Sequence, residues 1–438
     1  MTWLNGMSKA LIRKGRHFLA ARGSRLSRTT PTKGGDASEI LLRLEAAQAR
    51  ATEDIEWIKR RLYDFFNEYS TPLYDPIVGK RTRAGFKMFV DGRDYGSGHN
   101  ILTDGLIEPD VSRLLPKIVK PGGVFLDVGA NFGYYTLFGA MLGGPNGRVL
   151  SFEANPSLAP LIERSVYVNG YGPRVKLFRY AVSDQPGTAQ FGFDVFAPGG
   201  GGLAAGASAD ERLQKVEVEC ARIDDLVGPD VTADCIKIDV EGHEFAALRG
   251  MESLLRRSPD VCIILEYFPL MHGGGEQAVG MIDYLATMSF SVWRIDERGF
   301  LADISREELT RNDPIYILAS RKRPNDREIR LERSALQLVD DRAETLTADP
   351  GEWLVLGPYW PLPAGVYEIT LEGEIAGVLE LVATQEHGVT IASRRITQSG
   401  QSLRMAFPHD IRYFSVIVRV ASPQASLRLN AVIVKDLR

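Results

Sequence analysis

The sequence predicts an α/β fold: an open, mainly parallel sheet with helices on both faces, preceded by a helix and followed by an all-β sandwich. Three observations carry this. Short apolar strand-like runs alternate with helical stretches from about residue 85 to 320, the pattern of a parallel sheet covered on both faces. Beyond 349, seven short alternating runs separated by turn signals follow within about 85 residues, which reads as a β-sandwich. Ahead of both lies one long amphipathic stretch.

At 438 residues the chain is long enough for two or three domains. Its 44% hydrophobic and 25% charged content is that of a globular protein with ample core. A net charge of −4 provides no global field for nucleic acid. Cys220, Cys235 and Cys262 each sit in an apolar run, and their spacing fits neither a zinc site nor a disulfide framework. They read as reduced core thiols in a cytoplasmic setting.

Residues 1–37 are basic: Lys9, Arg13, Lys14, Arg16, Arg22, Arg25, Arg28 and Lys33 precede the first acid, Asp36. Leu4, Met7, Leu11 and Phe18 share one helical face, so the segment is either a flexible tail or a peripheral contact with an anionic membrane surface. Arg13, Lys14 and Arg16 interrupt what would be the apolar core of a secretory signal. No stretch reaches the ~20 apolar residues of a spanning helix. Over 38–68, Ile40, Leu44, Ala47, Ala51, Ile55, Ile58, Leu62 and Phe65 recur at spacings of three and four. This predicts a helix that either self-associates as a short coiled coil, making a homo-oligomer, or docks on its neighbour.

Residues 69–321 hold the α/β unit. Strands are expected at Val124–Val128, Arg148–Phe152, Val175–Val182, Cys235–Ile238 and Val261–Leu265, with helices to about Leu142 and over Ser157–Asn169. Ser291–Ile295 and Ile315–Ser320 read as a closing antiparallel pair. Residues 322–348 are highly charged and read as a linker with some helix; 349–438 hold the sandwich. Trp353, Tyr359 and Trp360 are either core or a stacking surface for sugar rings.

The chemistry is carried by Phe125-Leu-Asp127-Val-Gly129-Ala130-Asn131-Phe-Gly133-Tyr-Tyr135-Thr. A strand brings Asp127 to its carboxyl end, where open parallel sheets bind ligands, and the glycines let the backbone approach one. The Gly129-x-x-x-Gly133 spacing lacks the triplet that seats a pyrophosphate on a helix N-terminus, which disfavours a dinucleotide. S-Adenosylmethionine carries no phosphate and suits the loop better. The second strand ends Glu153-Ala154-Asn155-Pro156; a carboxylate there can accept both ribose hydroxyls, whereas Asn155-Pro156 supplies the helix cap. The third ends Ser183-Asp184, which either meets the adenine amino group or forms a turn before Gly187.

The fourth strand exits through Asp239-Val-Glu241-Gly-His243-Glu244, more acids than helix capping needs, and the fifth ends at Glu266. Ala197–Ser208, with Gly199 to Gly202 in a row, has no strand character and reads as an insertion or as a lid over the acceptor.

Together LDVGANFGYYT, FEANP, AVSD and KIDVEGHE resemble the FkbM-type family of S-adenosylmethionine-dependent methyltransferases, with similarity from about Gly92 to Arg321. The resemblance implies a class I fold of seven strands, the last antiparallel, and O-methylation, often of a sugar or polyketide hydroxyl. It implies that Glu108, Asp127, Gly129, Asn131 and Gly133 hold the methionine part, that Glu153 takes the ribose, that Asp184 sits near the adenine and that Asp239 lies beside the sulfonium. Where the family usually has a small residue between EG and E, this chain has His243.

Methyl transfer needs alignment and a base for the acceptor hydroxyl. The candidate catalytic residues are Asp239, Glu241, His243 and Glu266, with His272 as an outsider. The cofactor set is Glu108, Asp127, Gly129, Ala130, Asn131, Gly133, Tyr135, Glu153, Ala154, Asn155, Ser183, Asp184 and Asp239. No ligand spacing demands a metal, although Asp239, Glu241, Glu244, Glu266 and the two histidines are of the ligating types.

The leading expectation is an O-methyltransferase acting on a sugar of a bacterial surface glycan or its precursor. A small secondary-metabolite hydroxyl is the alternative acceptor. From other classes, a nicotinamide oxidoreductase conflicts with the glycine spacing. A glycan-binding assembly protein with a relic core conflicts with intact Asp127, Glu153 and Asp239.

Overall fold

The computed structural model describes residues 71–74, 76–203, 213–332, 337–340, 343–356, 360–362, 365–385, 389–407 and 411–437. The basic segment 1–37 and the amphipathic helix 38–68 lie outside the described residues, as does Tyr359. The described residues belong to the unit spanning 65–438.

It opens with an antiparallel meander, β1 Thr71–Tyr74, β2 Ile77–Arg81 and β3 Lys87–Asp91, followed by α1 Ser97–Asp104 and α2 Pro109–Ile118. Then come β4 Val124–Val128, α3 Tyr134–Gly143, β5 Arg148–Phe152, α4 Ala159–Val168 and β6 Val175–Phe178. A separate small sheet follows: β7 Ala181–Val182, β8 Gly187–Asp194, β9 Ala197–Gly202 and β10 Leu213–Ala221. After the short helix α5 Ile223–Leu226 the chain returns to the main sheet through β11 Cys235–Ile238. It continues with α6 Glu244–Arg249, α7 Glu252–Arg257, β12 Cys262–Tyr267, a 3-10 turn at Pro269–His272 and α8 Gly275–Thr287. The closing elements are β13 Ser291–Ile295, β14 Leu301–Asp303, α9 Arg306–Leu309 and β15 Ile315–Ser320.

The main sheet runs β14-β13-β15-β12-β11-β4-β5-β6. Strands β6, β5, β4, β11 and β12 are parallel, and β15 enters antiparallel between β12 and β13. This is a mixed α/β unit around a central sheet, with the closing antiparallel pair where the sequence puts it; β14 adds an edge strand beyond the seven expected. One face buries Leu114, Phe138 and Leu161 of α2, α3 and α4. The other buries Leu248, Leu254 and Leu285 of α6, α7 and α8. The parallel strands are therefore apolar on both sides, which is why they read as continuous hydrophobic runs rather than alternations. Cys235 and Cys262 are buried free thiols in these strands, and Cys220 is a partly buried free thiol in β10.

Three expectations need correction. Val175–Val182 is not one strand: β6 stops at Phe178, and Ala181–Val182 pairs with β10 in the small sheet. Ala197–Gly202 is a strand, paired antiparallel with β8. Its low strand propensity is overridden by tertiary contacts that only glycines allow. Within the supposed linker, Glu328–Glu332 pairs along Ser426–Asp436, so the C-terminal unit begins some twenty residues earlier than its hydrophobic pattern suggests. Arg330 is exposed there while Ile329 and Leu331 are buried.

The C-terminal strands form two antiparallel sheets. One orders Glu328–Glu332, Ser426–Asp436, Gly365–Ala376 and Ser402–Phe407. In the other, Trp353–Leu356, Ile411–Val420, Leu379–Gln385 and Val389–Ile396 are neighbours. Leu371, Leu381, Val416 and Val432 belong to one core shared by both sheets. Among the described residues, no helix is long and apolar enough to cross a membrane.

Candidate active site

The carboxyl ends of β4, β5, β11 and β12 converge, and the loops leaving them make the site. After β4 the chain turns at Gly129 (φ 84°), where a Cβ would lie 1.8 Å from the Asp239 carbonyl oxygen. Only glycine lets the β4 and β11 exits approach so closely. Asp127 itself is buried: its Oδ2 accepts from Thr136 Oγ1 at 2.6 Å, and Oδ1 has no partner among the described residues. Burial pushes its carboxyl up to about 6. Asp127 thus braces the turn from below rather than facing the cavity.

Three non-glycine residues with positive φ stand around this edge: Glu108 (43°), Asn131 (56°) and Glu241 (51°). Such conformations are costly for side chains with a Cβ and collect where a site over-determines them. Asn131 donates its backbone N–H to Glu153 Oε2 at 2.6 Å, while Glu153 Oε1 accepts from the Asn155 N–H at 2.7 Å. Each Glu153 oxygen keeps a lone pair for a further donor. Burial pushes this carboxyl up to about 7, against the two backbone hydrogen bonds.

A cavity of about 600 Å³ opens above these groups. Of the sequence-predicted residues, Gly129, Asn131, Glu153, Ala154, Asp239, Glu241 and His243 line it. Among the described residues, no Lys or Arg lines it. A cationic, phosphate-free cofactor with a ribose diol fits this donor set: Glu153 for the diol, Asp239 and Glu241 for positive charge.

Ser183 and Asp184 do not line the cavity. Asp184 Oδ2 lies 2.6 Å from Arg249 Nη2. Its slight burial is overridden by that guanidinium, which holds the carboxyl below its ordinary range. Ser183 Oγ lies 3.0 Å from His243 Nε2, which turns the imidazole toward the small sheet. Burial lowers the His243 pKa. The far wall comes instead from Tyr180, Val182 and Phe191. Ala130, Gly133 and Asn155 are not among the cavity's lining residues either.

Lys237, missed at the sequence level, organises the acids beneath. It is 2% exposed in β11, with Nζ 2.8 Å from Asp239 Oδ2 and 3.5 Å from Glu108 Oε2. The ammonium also sits 4.7 Å from the Tyr135 ring centroid, and Tyr135 Oη donates to Glu108 Oε2 at 2.8 Å. Burial alone would lower Lys237, but Asp239 and Glu108 hold it above its ordinary value. Glu108 and Tyr135 are therefore partners of Lys237 behind the cavity. Burial raises Glu108 to about 7. The signal that could have found Lys237 is a lysine inside a four-residue strand otherwise reading as core.

A second cavity, about 560 Å³, adjoins the first and is lined by Glu241, Glu244, Glu266, Met271 and His272 among others. Glu266 is hydrogen-bonded to the Asp239 side chain; burial and that neighbour push it up to about 9. Burial, with Asp239 and Glu244 nearby, raises Glu241 to about 7. His272 Nε2 lies 3.1 Å from Glu244 Oε2, while Glu244 Oε1 accepts the Val240 and Gly242 N–H groups at 2.9 and 3.2 Å. Among the described residues, no group of three His, Cys, Asp or Glu is arranged to hold a metal ion.

Comparison with known proteins supports the resemblance read from the motifs. Residues 127–300 match the family model described as "Methyltransferase FkbM domain". The chain is 27% identical over 161 residues to the methyltransferase sdnD of Sordaria araneosa, covering 30% of this chain and 62% of that protein. It is 30% identical over 152 residues to the hexuronic acid methyltransferase AglP of Haloferax volcanii, covering 34% of this chain and 58% of that protein. The chain thus spans about three fifths of the length of these curated relatives. Among solved structures, an FkbM methyltransferase from Methylobacillus flagellatus aligns at 13% identity and a TM-score of 0.29, covering 48% of this chain and 50% of that one.

Proposed function

With an FkbM-type methyltransferase domain over residues 127–300 as premise, we propose that the chain transfers a methyl group from S-adenosylmethionine to a hydroxyl of a sugar, in a glycan or its precursor. The observation that carries this reading is the pair of adjoining cavities with Glu241 in the wall of both. The first suits the cofactor, through Glu153, Asn131 and Asp239. The second suits the acceptor.

The cofactor supplies a methyl already activated by a sulfonium, so the chain's own work is alignment and proton removal. Asp239, fixed by Lys237 below and Glu266 beside it, presents negative charge to the first cavity. Glu266, raised to about 9, keeps its proton at neutral pH and is a hydrogen-bond donor rather than a base. Glu241 has the better properties for the base: it faces both cavities and its carboxyl is raised to about 7, near the operating pH. His272, 3.1 Å from buried Glu244, can hold a second acceptor hydroxyl.

Three carboxyl groups line the acceptor cavity, which favours a neutral polyol over an anionic sugar such as a uronate. The small-metabolite alternative draws on the apolar rim, where Leu270 and Met271 are exposed. Incubation with methyl-labelled S-adenosylmethionine and fractionated glycans, lipid-linked sugars and small metabolites tests the reading. Label in an alkali-stable ether of a sugar is expected; label on a carboxyl or nitrogen, or transfer to none of them, would overturn it.

A further inference from the structure

The glycine strand β9 reads from the sequence as an insertion or as a lid over the acceptor. It lies over the other cavity: Pro198, Gly199, Gly201 and Gly202 are part of the lining around Glu153 and Asn131. β9 is the last strand of its small sheet, paired on one side with β8. On its other side, among the described residues, side chains rather than a further strand hold it. Asn155 Nδ2 donates to the Pro198 carbonyl at 3.0 Å, and Asn131 Nδ2 donates to that of Gly199 at 3.1 Å. The Gly199 N–H reaches buried Asp94 Oδ2 at 3.4 Å. At the hairpin tip, Tyr95 donates its backbone N–H to Phe196 O and its hydroxyl to Asp194 Oδ2, both at 3.0 Å.

The glycines make this close seating possible. A Cβ on Gly199 would fall 2.6 Å from Asn131 Oδ1, and one on Gly201 would fall 2.7 Å from the Phe191 ring. On Gly202 it would meet the Glu241 Cβ at 3.1 Å. Gly200 differs: its added Cβ meets nothing nearer than 3.8 Å, and the residue does not line the cavity. The run is therefore a fitted surface with one neutral position.

Resting on the methyltransferase reading, we propose that β9 is a strap over the cofactor, latched by Asn131, Asn155 and Asp94, and that its release sets how fast cofactor and product exchange. Asn131 is the link. The same residue gives its backbone N–H to Glu153, the ribose candidate, and its side-chain amide to the strap. A ligand that steadies Glu153 and Asn131 also steadies the latch. The acceptor, by contrast, enters beside Glu266 and His272 without lifting β9.

The test uses the full chain and S-adenosylhomocysteine, with affinity from calorimetry and release from stopped-flow displacement. Gly199→Ala is expected to weaken binding about tenfold or more, mostly through faster release, while Gly200→Ala stays within about twofold. Tyr95→Phe, outside the cavity, is expected to speed release by about threefold; it serves as the second probe should Gly199→Ala not fold. Unchanged release in both Gly199→Ala and Tyr95→Phe, with tight wild-type binding, would overturn the strap alone. No wild-type binding would overturn the methyltransferase reading and the strap with it.

Discussion

The two cavities at the sheet edge are built by opposite means. The first cavity, proposed for the cofactor, is made largely of backbone: a glycine turn, two N–H groups aimed at Glu153 and a glycine-rich strand laid across the top. The second cavity, proposed for the acceptor, is made of ionisable side chains crowded together, with Glu241 and Glu266 both raised by burial and by the neighbouring Asp239. Backbone geometry serves a fixed ligand whose shape does not vary. Crowded carboxyls hold protons near neutrality, which is what removing a hydroxyl proton requires. The two constructions meet at Asp239, which lines the first cavity and bonds across to Glu266.

Replacing Asp239 by Ala breaks both halves at once. It leaves buried Lys237 without its nearest partner, and methyl transfer should fall by about 10³-fold or more in a labelled-methyl assay, with weaker cofactor binding as well. Activity near wild type would remove Asp239 from the mechanism. Glu241→Gln separates the halves. Turnover should drop by about 100-fold while S-adenosylhomocysteine affinity moves by less than about threefold.

The same residue sets a pH dependence. With its carboxyl raised to about 7, the base is protonated below that pH and ionised above it, so wild-type turnover should climb from pH 6 to 8. In Glu241→Gln that climb should vanish; a retained limb would assign the base elsewhere. Glu153→Gln acts on the backbone-built side, and calorimetry should show binding weakened by about tenfold. Smallest of all, Asp184→Ala should leave affinity within about twofold and stability within about 0.5 kcal/mol, since the residue's ion pair is with exposed Arg249. A large loss there would restore the adenine role that the geometry withholds.

The cofactor side was the more legible in sequence, and the reason is physical. A glycine turn after an apolar strand and an acid at the next strand's end are local patterns, and they placed Gly129, Asn131 and Glu153 in one cavity. What depends on distant partners was hidden. Lys237 looks like an interruption of a core strand until Glu108, from a loop over a hundred residues earlier, folds beside it. Gly199 to Gly202 look unable to form a strand because their partners, Asn131, Asn155 and Asp94, are brought in by tertiary structure. The start of the C-terminal unit was hidden for a similar reason: Glu328–Glu332 gains its register only from Ser426–Asp436 at the far end of the chain.

The central claim is that the backbone-built cavity is a cofactor site and the carboxyl-lined one is not. Titration of S-adenosylhomocysteine into wild type, Glu153→Gln and Glu266→Gln by calorimetry tests it most directly. The account predicts one site per chain, weakened by Glu153→Gln and nearly untouched by Glu266→Gln. Absence of binding to the wild type, or a loss confined to Glu266→Gln, would contradict it.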